Sequence, residues 1–484
     1  MTFDIRSEMR SLLADAALAA EPEDRAALDK LIDQYDQPLR IAIAGMIKAG
    51  KSTLMNALVG QRIAATDAGE CTRIVTRYQR GQRYRVSAID HDGEAHDLAF
   101  DRGETLEIDL GGHAESDIEH IQVDWPSERL SGRQLIDTPG LGSISENVSQ
   151  RSIHFLAAES DFPTDAVVYL MRHRHPANLE FLEAFHGGFA ASGGMSAIGV
   201  LSRADELGGG RVDALDTAAR VADHMAADPR VTRLCQQVFP VAGLLAETAA
   251  TLRQDEYVSL TALNTMAEGA RADALLGVDR FLNSSEVPFD AETRGRLLAR
   301  FGMFGLRLGT QLVAAQSNSS ADLLSHELAS RSGIGAIERE IRARFDARRA
   351  VLRVRAAMAV LSPMSVSDEP EIAARFERVA SNAHEVYELD LLDRLRGRQV
   401  NGLRSDRKAE LERTLGIDGP AAGRRLGLDE TVGDDEVRAV ATEQLDGWRR
   451  TAEHPLSSPE VSHLARMAVR SLEALLHVDG QPSA

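Results

Sequence analysis

The stretch "IAIAGMIKAGKST", residues 41–53, decides the fold. Its apolar first half predicts a buried strand, and the part from Gly45 to Ser52 has the spacing G-x-x-x-x-G-K-[ST] of a phosphate-binding loop. In such a loop backbone N–H groups surround phosphate oxygens, Lys51 reaches the outer phosphates and Ser52 ligates Mg²⁺. The helix-forming "KSTLMNALVG" follows and completes a strand–loop–helix unit. The loop residues predicted to bind nucleotide are Gly45, Lys48, Ala49, Gly50, Lys51, Ser52 and Thr53.

Two further segments supply residues for the same phosphate site. "LIDTPG" ends an apolar strand at Asp137, and its D-x-x-G pattern lets that carboxylate hold Mg²⁺ while the N–H of Gly140 faces the γ-phosphate. "ECTRIVT" lies where a first switch loop would run. There the hydroxyl of Thr72 would complete the Mg²⁺ shell and its N–H would contact the γ-phosphate, with Thr76 as the competing residue. The predicted metal ligands are therefore Ser52, Thr72 and Asp137.

The segment "LSRADEL", residues 201–207, carries the signal for the base. It follows an apolar strand and resembles the base-reading pattern [NT]-K-x-D, with Ser202 and Arg203 at the first two positions. The carboxylate of Asp205 can accept hydrogen bonds from the N1–H and the exocyclic amine of guanine, a pair of donors that adenine lacks. The alternative is a surface aspartate after a strand. Together the motifs predict GTP and GDP, with Mg²⁺, as ligands, and place Arg203 and Asp205 at the base.

The remaining chain divides by its hydrophobic pattern. Up to about residue 250, apolar runs such as "DAVVYLM", "SAIGVLS" and "QVFPVAG" alternate with helical segments, which predicts a mostly parallel sheet with helices on both faces. Beyond it, apolar residues recur at helical spacing and strand signals almost vanish. We predict an α/β P-loop GTPase domain at 36–250 and an all-α bundle or stalk at 251–484. The helices of residues 1–35 would join that bundle or, alternatively, cover the α/β domain.

These motifs resemble those of the bacterial dynamin-like proteins, in particular the isoniazid-inducible proteins of mycobacteria and related actinobacteria. The resemblance rests on "AGMIKAGKSTLMNALVG", "ATDAGECTRIVTRY", "LIDTPG", "SRADE" and "RFGMFGLRL", and it spans roughly residues 36–480. It is specific in the GTPase half and looser in the helical half. The nucleotide residues of the family carry over to Lys51, Ser52, Thr72, Asp137, Gly140 and Asp205.

The resemblance implies a GTPase head on a helical stalk built from both chain ends. It implies dimerisation through the heads, or hetero-assembly with a related dynamin-like protein, and binding or remodelling of membranes in cell-envelope maintenance or stress. Two other functions stay open. One is a regulatory GTP switch that recruits a protein partner and never contacts lipid. The other is a weakly hydrolysing partner of a related dynamin-like protein.

The chain departs from the family where water would be oriented for hydrolysis. Leu141 stands where many small GTPases place a glutamine, and Ile47 stands at the loop position that dynamins fill with glutamine. Lys48 is a candidate to neutralise charge that develops on the phosphates, and the alternative is a solvated lysine. Lys51, Thr72 and Lys48 are thus the catalytic candidates. We expect slow hydrolysis by a monomer, with acceleration where a second head completes the site.

Composition limits the partners and the compartment. The 484 residues carry a net charge of −19, which disfavours nucleic acid as a partner. Cys71 and Cys235 make no disulfide pattern, the start "MTFDIRSEMR" has no apolar core, and no stretch approaches the ~20 apolar residues of a membrane span. These observations predict a cytoplasmic protein. The membrane binding that the resemblance implies would then be peripheral, on the inner face of the cell membrane.

Two segments are candidates for that membrane contact. Seven arginines within residues 339–355 precede "MAVLSPMSV", in which Met358, Leu361, Pro363 and Met364 would form an apolar tip with the arginines as a basic collar behind it. The alternative is a solvated helix face that runs into an ordinary turn between helices. The rival tip is the basic, glycine-broken "RLRGRQVNGLR".

Overall fold

The described residues of the computed structural model form two compact units. We call the described part of residues 40–339 the sheet unit, and the described part of residues 1–39 and 340–484 the helical unit. The residues that the structure describes are 4–64, 74–103, 106–138, 164–172, 197–315, 320–364, 366, 369–395, 400–429 and 432–478.

In the described part of the chain, the sheet unit contains a nine-stranded sheet with the order β11-β10-β9-β1-β8-β2-β7-β3-β4, and β5 and β6 form a separate two-stranded sheet. The strands are β1 Leu39–Gly45, β2 Thr76–Arg80, β3 Arg85–Asp90, β4 Ala95–Asp97, β5 Ala99–Arg102, β6 Leu106–Asp109, β7 Ile118–Trp125, β8 Arg133–Asp137, β9 Ala166–Met171, β10 Ala197–Ser202 and β11 Cys235–Val241.

One half of this sheet is parallel and positions the loop. β1 pairs with β9, β9 with β10, and β10 with β11, all in parallel register. Every residue of β1, β9 and β10 is buried, as expected for strands covered on both faces. Gly45 lies opposite Leu170, and Leu201 lies opposite Met171, so the carboxyl ends of the three strands meet at one edge. The predicted mostly parallel sheet with its helices is confirmed.

The other half of the sheet mixes both directions. β2 is parallel to β7, whereas β2–β8, β3–β7 and β3–β4 are antiparallel pairs. The short polar turn between β3 and β4 allows an antiparallel hairpin, which needs no crossover helix. The sequence pattern did not predict this antiparallel edge.

The helices of the sheet unit follow the strands and continue past residue 250. Residues 251–339 belong to this unit by their contacts, so the predicted boundary at 250 differs from the observed division. A single core explains the difference, because Phe281, Phe301 and Phe304 pack with Leu245 and with the helices around it. The helices of this unit are α3 Lys51–Val59, α4 Ala214–Ala226, α5 Pro229–Leu234, α6 Gly243–Ala250, α7 Gln254–Asn264, α8 Glu268–Ala274, α9 Val278–Asn283, α10 Ala291–Ala315 and α11 Ala321–Arg331.

The helical unit combines both ends of the chain. Met9, Leu12 and Leu13 of the first helix share a core with Val354 and Leu361, more than 300 residues later. A second core surrounds Trp448. The helices are α1 Ile5–Ala19, α2 Pro22–Tyr35, α12 Ile334–Arg344 (which begins in the sheet unit), α13 Arg349–Leu361, α14 Pro370–Asn382, α15 His384–Leu395, α16 Ser405–Thr414, α17 Ala422–Leu426, α18 Asp434–Glu453 and α19 Pro459–Val478.

The proposed basic collar of residues 339–355 is largely interior. Four of its seven arginines, Arg344, Arg348, Arg353 and Arg355, are buried. Arg344 pairs with Glu340 and Asp418, Arg348 donates to the Gly416 carbonyl, Arg353 donates to that of Pro38, and Arg355 pairs with Asp390 and Asp393. These side chains are committed to the helical unit, so the segment is neither a membrane collar nor a fully solvated face.

The apolar segment behind that collar is also core. Leu361 is fully buried, and Met358 and Met364 pack partly buried against the same cluster, while Pro363 is exposed. The membrane tip predicted at these residues is therefore wrong. In the rival segment, residues 396–399 lie outside the described residues, and Leu395 and Val400 on either side are buried in the core around Trp448. Within the described chain no helix is both long and apolar enough to cross a membrane.

Candidate nucleotide site

The loop after β1 has the backbone geometry of a turn that carries the chain into α3. A Cβ on Gly45 would lie 2.7 Å from the Leu170 carbonyl oxygen, so only glycine lets β1 and β9 run side by side there. Gly50 has φ 92° and precedes the first helical residue, Lys51. Lys48 has φ 60°, a conformation that non-glycine residues rarely adopt and that tends to be retained at functional sites.

Three predicted residues meet where α3 begins. The Lys51 ammonium donates to the Gly45 carbonyl oxygen at 3.4 Å, and the Ser52 hydroxyl donates to Asp137 Oδ2 at 3.3 Å. Burial raises the pKa of Asp137 to about 6, opposed by the charge of Lys51 and the Ser52 hydrogen bond. Burial likewise lowers the pKa of Lys51, opposed by Asp137. Asp137 therefore loses its charge as the pH falls through about 6.

The donor set at Asp137 fits Mg²⁺. Its second oxygen, Oδ1, is buried and has no hydrogen-bond partner among the described residues. A buried carboxylate oxygen without a hydrogen-bond partner destabilises the folded protein unless a ligand binds to it. Asp137 and Ser52 present oxygen atoms, the donors that Mg²⁺ prefers, and such sites often use only one or two protein ligands together with substrate phosphates. Within the described chain no group of three His, Cys, Asp or Glu side chains could hold a metal.

Asp205 lies in a cavity shared with the loop. It is only 8% exposed, and burial raises its pKa to about 6, helped by the nearby Glu206 and opposed by Arg203. The cavity has a volume of about 140 Å³ and brings together predicted residues that are more than 150 positions apart in the chain. Its lining includes Ala49, Gly50, Thr53, Ser202, Arg203 and Asp205.

Arg203 and Glu206 both line that cavity and form an ion pair. Arg203 Nη1 lies 2.6 Å from Glu206 Oε1, and Arg172 Nη2 lies 3.5 Å from Glu206 Oε2. Arg203 itself has φ 53°, at the sharp turn that follows β10. The charge of Glu206 is thereby compensated, and Asp205 is the carboxylate that faces the cavity without an arginine partner in the described residues.

Arg307 on α10 holds the turn that carries Asp205, and sequence analysis missed this role. Its Nη1 donates to the carbonyls of Gly209, at 3.3 Å, and Gly210. Its Nε donates to Leu275 O at 2.8 Å and its Nη2 to Leu276 O at 3.0 Å. The signal was the string "RFGMFGLRL", which marks the family but says nothing of the partner. One guanidinium therefore ties the base-reading turn to two other segments.

Replacing Arg307 with alanine is expected to weaken GTP binding about tenfold, because the Asp205 turn loses its charge-assisted bonds. Affinity for inorganic tripolyphosphate, which has no base, should stay within about twofold, and Arg307→Lys should recover part of the loss. Arg296→Ala removes an exposed arginine of the same helix, paired with Asp255 at 3.4 Å, and serves as the control. Calorimetric titration measures the three variants and the unchanged chain. Equal losses for GTP and tripolyphosphate would assign Arg307 to general stability instead.

Asn56 on α3 is a second residue that sequence analysis missed. Its Oδ1 accepts the N–H groups of Ile63 and Ala64 at 2.9 and 2.7 Å, and its Nδ2 donates to the Ala64 carbonyl at 3.1 Å. The side chain is fully buried. It therefore fixes the chain directly ahead of the segment in which Thr72 is predicted to act.

Several predicted residues are not tested by this geometry. Thr72, Gly140 and Leu141 lie outside the described residues. Lys48 is exposed, and Ile47 beside it is 43% exposed. The structure thus brings together the loop, Asp137 and the Asp205 turn, while the role of Lys48 stays a prediction.

Comparison with known proteins connects this site to one group. Residues 41–180 match the model of the dynamin family. The isoniazid-induced protein IniC of Mycobacterium tuberculosis H37Rv is 39% identical over 456 residues, which cover 93% of this chain and 92% of that protein. The bacterial dynamin-like protein of Nostoc punctiforme is 25% identical over 152 residues, covering 29% and 21%. A solved oligomerised bacterial dynamin pair aligns over 99% of this chain and 88% of that chain, at 14% identity and a TM-score of 0.35 that supports no inference about assembly.

Proposed function

This chain belongs to the dynamin family of GTPases, in the group of the isoniazid-induced protein IniC, and from that premise we propose that it binds GTP and hydrolyses it to GDP and phosphate. One observation carries the proposal. The buried Asp205 and the phosphate-binding loop line the same cavity, so a guanine recognised by the carboxylate has its phosphates within reach of the loop. GTP and GDP with Mg²⁺ are the proposed ligands.

Each residue has a separate proposed part. The ammonium of Lys51 neutralises the outer phosphates, and the N–H groups of the loop from Gly45 to Gly50 donate to phosphate oxygens. Ser52 and Asp137 hold Mg²⁺, which when bound offsets charge on the phosphate oxygens. Thr72 and Gly140 are proposed to contact the γ-phosphate. Asp205 accepts the two guanine donors, and Arg203 keeps Glu206 from competing with it.

The biological role we propose is GTP-driven dimerisation through the heads, or assembly with a related dynamin-like protein, and peripheral binding to the inner face of the cell membrane. The family supports these proposals, and the relative's description as isoniazid-induced supports a role in stress. Cell-envelope maintenance is the setting that we propose for it. Nucleic acid is not a proposed partner, because the chain carries a net charge of −19. The membrane-contacting residues must lie elsewhere than Met358 to Met364.

A weakly hydrolysing partner is the second candidate, and one observation favours it. Ile47, half-exposed in the loop, puts an apolar side chain at the position that dynamins fill with a water-orienting glutamine. Without a polar group there, an isolated head lacks a familiar means of positioning the attacking water. A second head or a related protein would have to supply one.

Phosphate release measured against protein concentration separates these candidates. We expect the rate per molecule to rise several-fold with concentration, since heads complete one another's sites, and to rise further with anionic vesicles. The Lys51→Ala variant gives the background rate of phosphate release. Tight GTP binding with no release at any concentration would favour the weakly hydrolysing partner. A rate per molecule that changes with neither protein concentration nor vesicles would contradict dimerisation and membrane action, provided that the protein also fails to co-sediment with vesicles at low salt in either nucleotide state.

A further inference from the structure

A second and larger cavity lies in the sheet unit, at the far end of α3 from the loop. Its volume is about 390 Å³, and among the described residues it shares no lining residue with the nucleotide cavity. Four arginines and no acidic residue belong to its described lining: Arg62, Arg102, Arg253 and Arg300. In a chain with a net charge of −19, this concentration of guanidinium groups requires an explanation.

Two of these arginines form ion pairs with buried carboxylates. Arg62 Nε lies 2.7 Å from Glu247, and Arg300 Nε lies 2.7 Å from Glu256, with both acids almost completely buried. Arg300 Nη2 also donates to the carbonyl and hydroxyl of Thr251 at 3.0 Å. Such contacts set the planes of the guanidinium groups in advance, which reduces the entropy lost when they bind an anion.

The other two arginines leave the cavity positively charged. Arg102 stacks on aromatic rings, with its guanidinium carbon 3.6 Å from the Tyr84 ring centre and 5.1 Å from that of Trp125, and it has no carboxylate partner in the described residues. Arg253 lies 3.4 Å from Asp255 and 3.7 Å from Glu256, and Arg296 also approaches Asp255 at 3.4 Å. Across these ion pairs of the described residues, five arginines share three carboxylates, so the guanidinium groups outnumber their carboxylate partners by two.

The volume of the cavity and its apolar lining indicate an organic ligand and not a bare ion. The volume falls in the range of roughly 300–1,000 Å³ typical of small-molecule sites. Ile63, Leu106 and Trp125 supply apolar lining beside the arginines. The planar guanidinium fork binds carboxylate and phosphate alike. A phosphate monoester carries about two negative charges in one group, whereas a single carboxylate carries one, so the surplus of arginines favours phosphate.

We propose that this cavity binds an organic phosphate with about two negative charges. Its phosphate group would lie among Arg62, Arg102 and Arg253, and its organic part would pack against Trp125 and Leu106. A soluble phosphate ester and a lipid headgroup share this chemistry. The site is proposed independently of GTP binding, so the loop is disabled by Lys51→Ala in every test below.

Tryptophan emission reports on the cavity directly. The chain has two tryptophans, and Trp448 is buried in the helical unit, so Trp448→Phe leaves Trp125 as the reporter. The soluble probes are phenyl phosphate and inorganic phosphate. The lipid probes are phosphatidylcholine vesicles with and without phosphatidic acid. Calorimetry on the chain with Trp448 intact gives the same affinities if Trp448→Phe fails to fold.

We expect a saturable change in Trp125 emission, with phenyl phosphate binding more tightly than inorganic phosphate because of the apolar wall. Arg102→Gln removes a charge without stranding a carboxylate and should weaken binding at least about tenfold. Arg83→Gln, an exposed arginine outside the cavity lining, is the matched control and should change affinity less than about twofold.

The outcomes are distinct. Saturable binding of soluble esters alone, or of phosphatidic-acid vesicles alone, supports the site and identifies the source of the phosphate. If neither the soluble phosphates nor the phosphatidic-acid vesicles bind, the proposal is overturned. Equal weakening by Arg102→Gln and Arg83→Gln would also overturn it, since attraction to general surface charge would then explain the signal.

Discussion

Replacing Lys51 with alanine is expected to weaken GTP binding by at least about 100-fold, equivalent to about 2.7 kcal/mol. The side chain is the cation that faces the phosphates, and it is also the charge that opposes burial of Asp137. Without it the pKa of Asp137 should rise further above about 6, and the protonated acid is a poor metal ligand. Both the phosphate contact and the metal contact are therefore weakened. Equilibrium titration with a fluorescent GTP analogue in Mg²⁺ measures the loss.

The control is Lys30→Ala, which removes one of the few other lysines, exposed on α2, without touching the loop. It should bind GTP as the unchanged chain does. Circular dichroism establishes whether Lys51→Ala keeps its helical content. GTP affinity within threefold of the unchanged chain, in a folded variant, would remove the loop from the nucleotide site.

Replacing Asp205 with asparagine is expected to convert a preference for GTP into one for xanthosine triphosphate. An amide offers one acceptor and one donor where the carboxylate offers only acceptors. The exocyclic amine of guanine then meets the amide NH₂, whereas xanthine has a carbonyl oxygen there and accepts its hydrogen. Because Asp205 is buried, the unmatched donors cost binding energy, and GTP affinity should fall roughly 10–100-fold. Competition titrations with both nucleotides measure the ratio.

A matched change nearby tests whether the effect belongs to Asp205. Asp213→Asn alters an exposed carboxylate that pairs with Arg211 at 2.9 Å, a few residues beyond the same turn. It should leave both affinities unchanged. If Asp205→Asn binds GTP as tightly as before, the base-reading assignment is wrong, even where Lys51→Ala has lost binding.

The loop and the strand ends were predictable because their signals are local. Gly45, Gly50 and Lys51 are close in sequence, and their spacing alone identifies the loop, although the need for glycine at position 45 comes from the distant Leu170. Asp137 and Asp205 follow buried strands, and strand ends in a mostly parallel sheet converge on one edge. The site could therefore be anticipated before any tertiary contact was known.

The structure differs from the sequence predictions where the partner of a charged or apolar side chain is distant in sequence. The arginines of residues 339–355 looked solvated, but Asp390, Asp393 and Asp418 lie across the helical unit and compensate some of them. The helices of residues 251–339 resemble those of a stalk in periodicity, and only the shared core around Phe301 assigns them to the sheet unit. Periodicity identifies the buried face of a helix, but not the partner that covers it.

Arg307 and the arginine cavity illustrate the same limit. Arg307 donates to backbone carbonyls nearly 100 positions away. Every residue has such a carbonyl, so the sequence does not show which ones are the partners. Arg62, Arg102 and Arg300 come from three separate segments, and no sequence motif indicates that they share a cavity. Such sites exist only once the chain is folded.

The shared core of α1 with α13 and α14 has a consequence for how the protein is made. Ala19 ends α1 and Arg349 begins α13, so the first helix emerges from the ribosome long before these partners exist. At roughly 5–20 residues per second the interval is on the order of tens of seconds. During that time α2 is the only one of these neighbours already made, and part of the apolar face of α1 is without its cover. The sheet unit can therefore fold before the helical unit, and we expect the apolar face of α1 to need protection until α13 and α14 have been made.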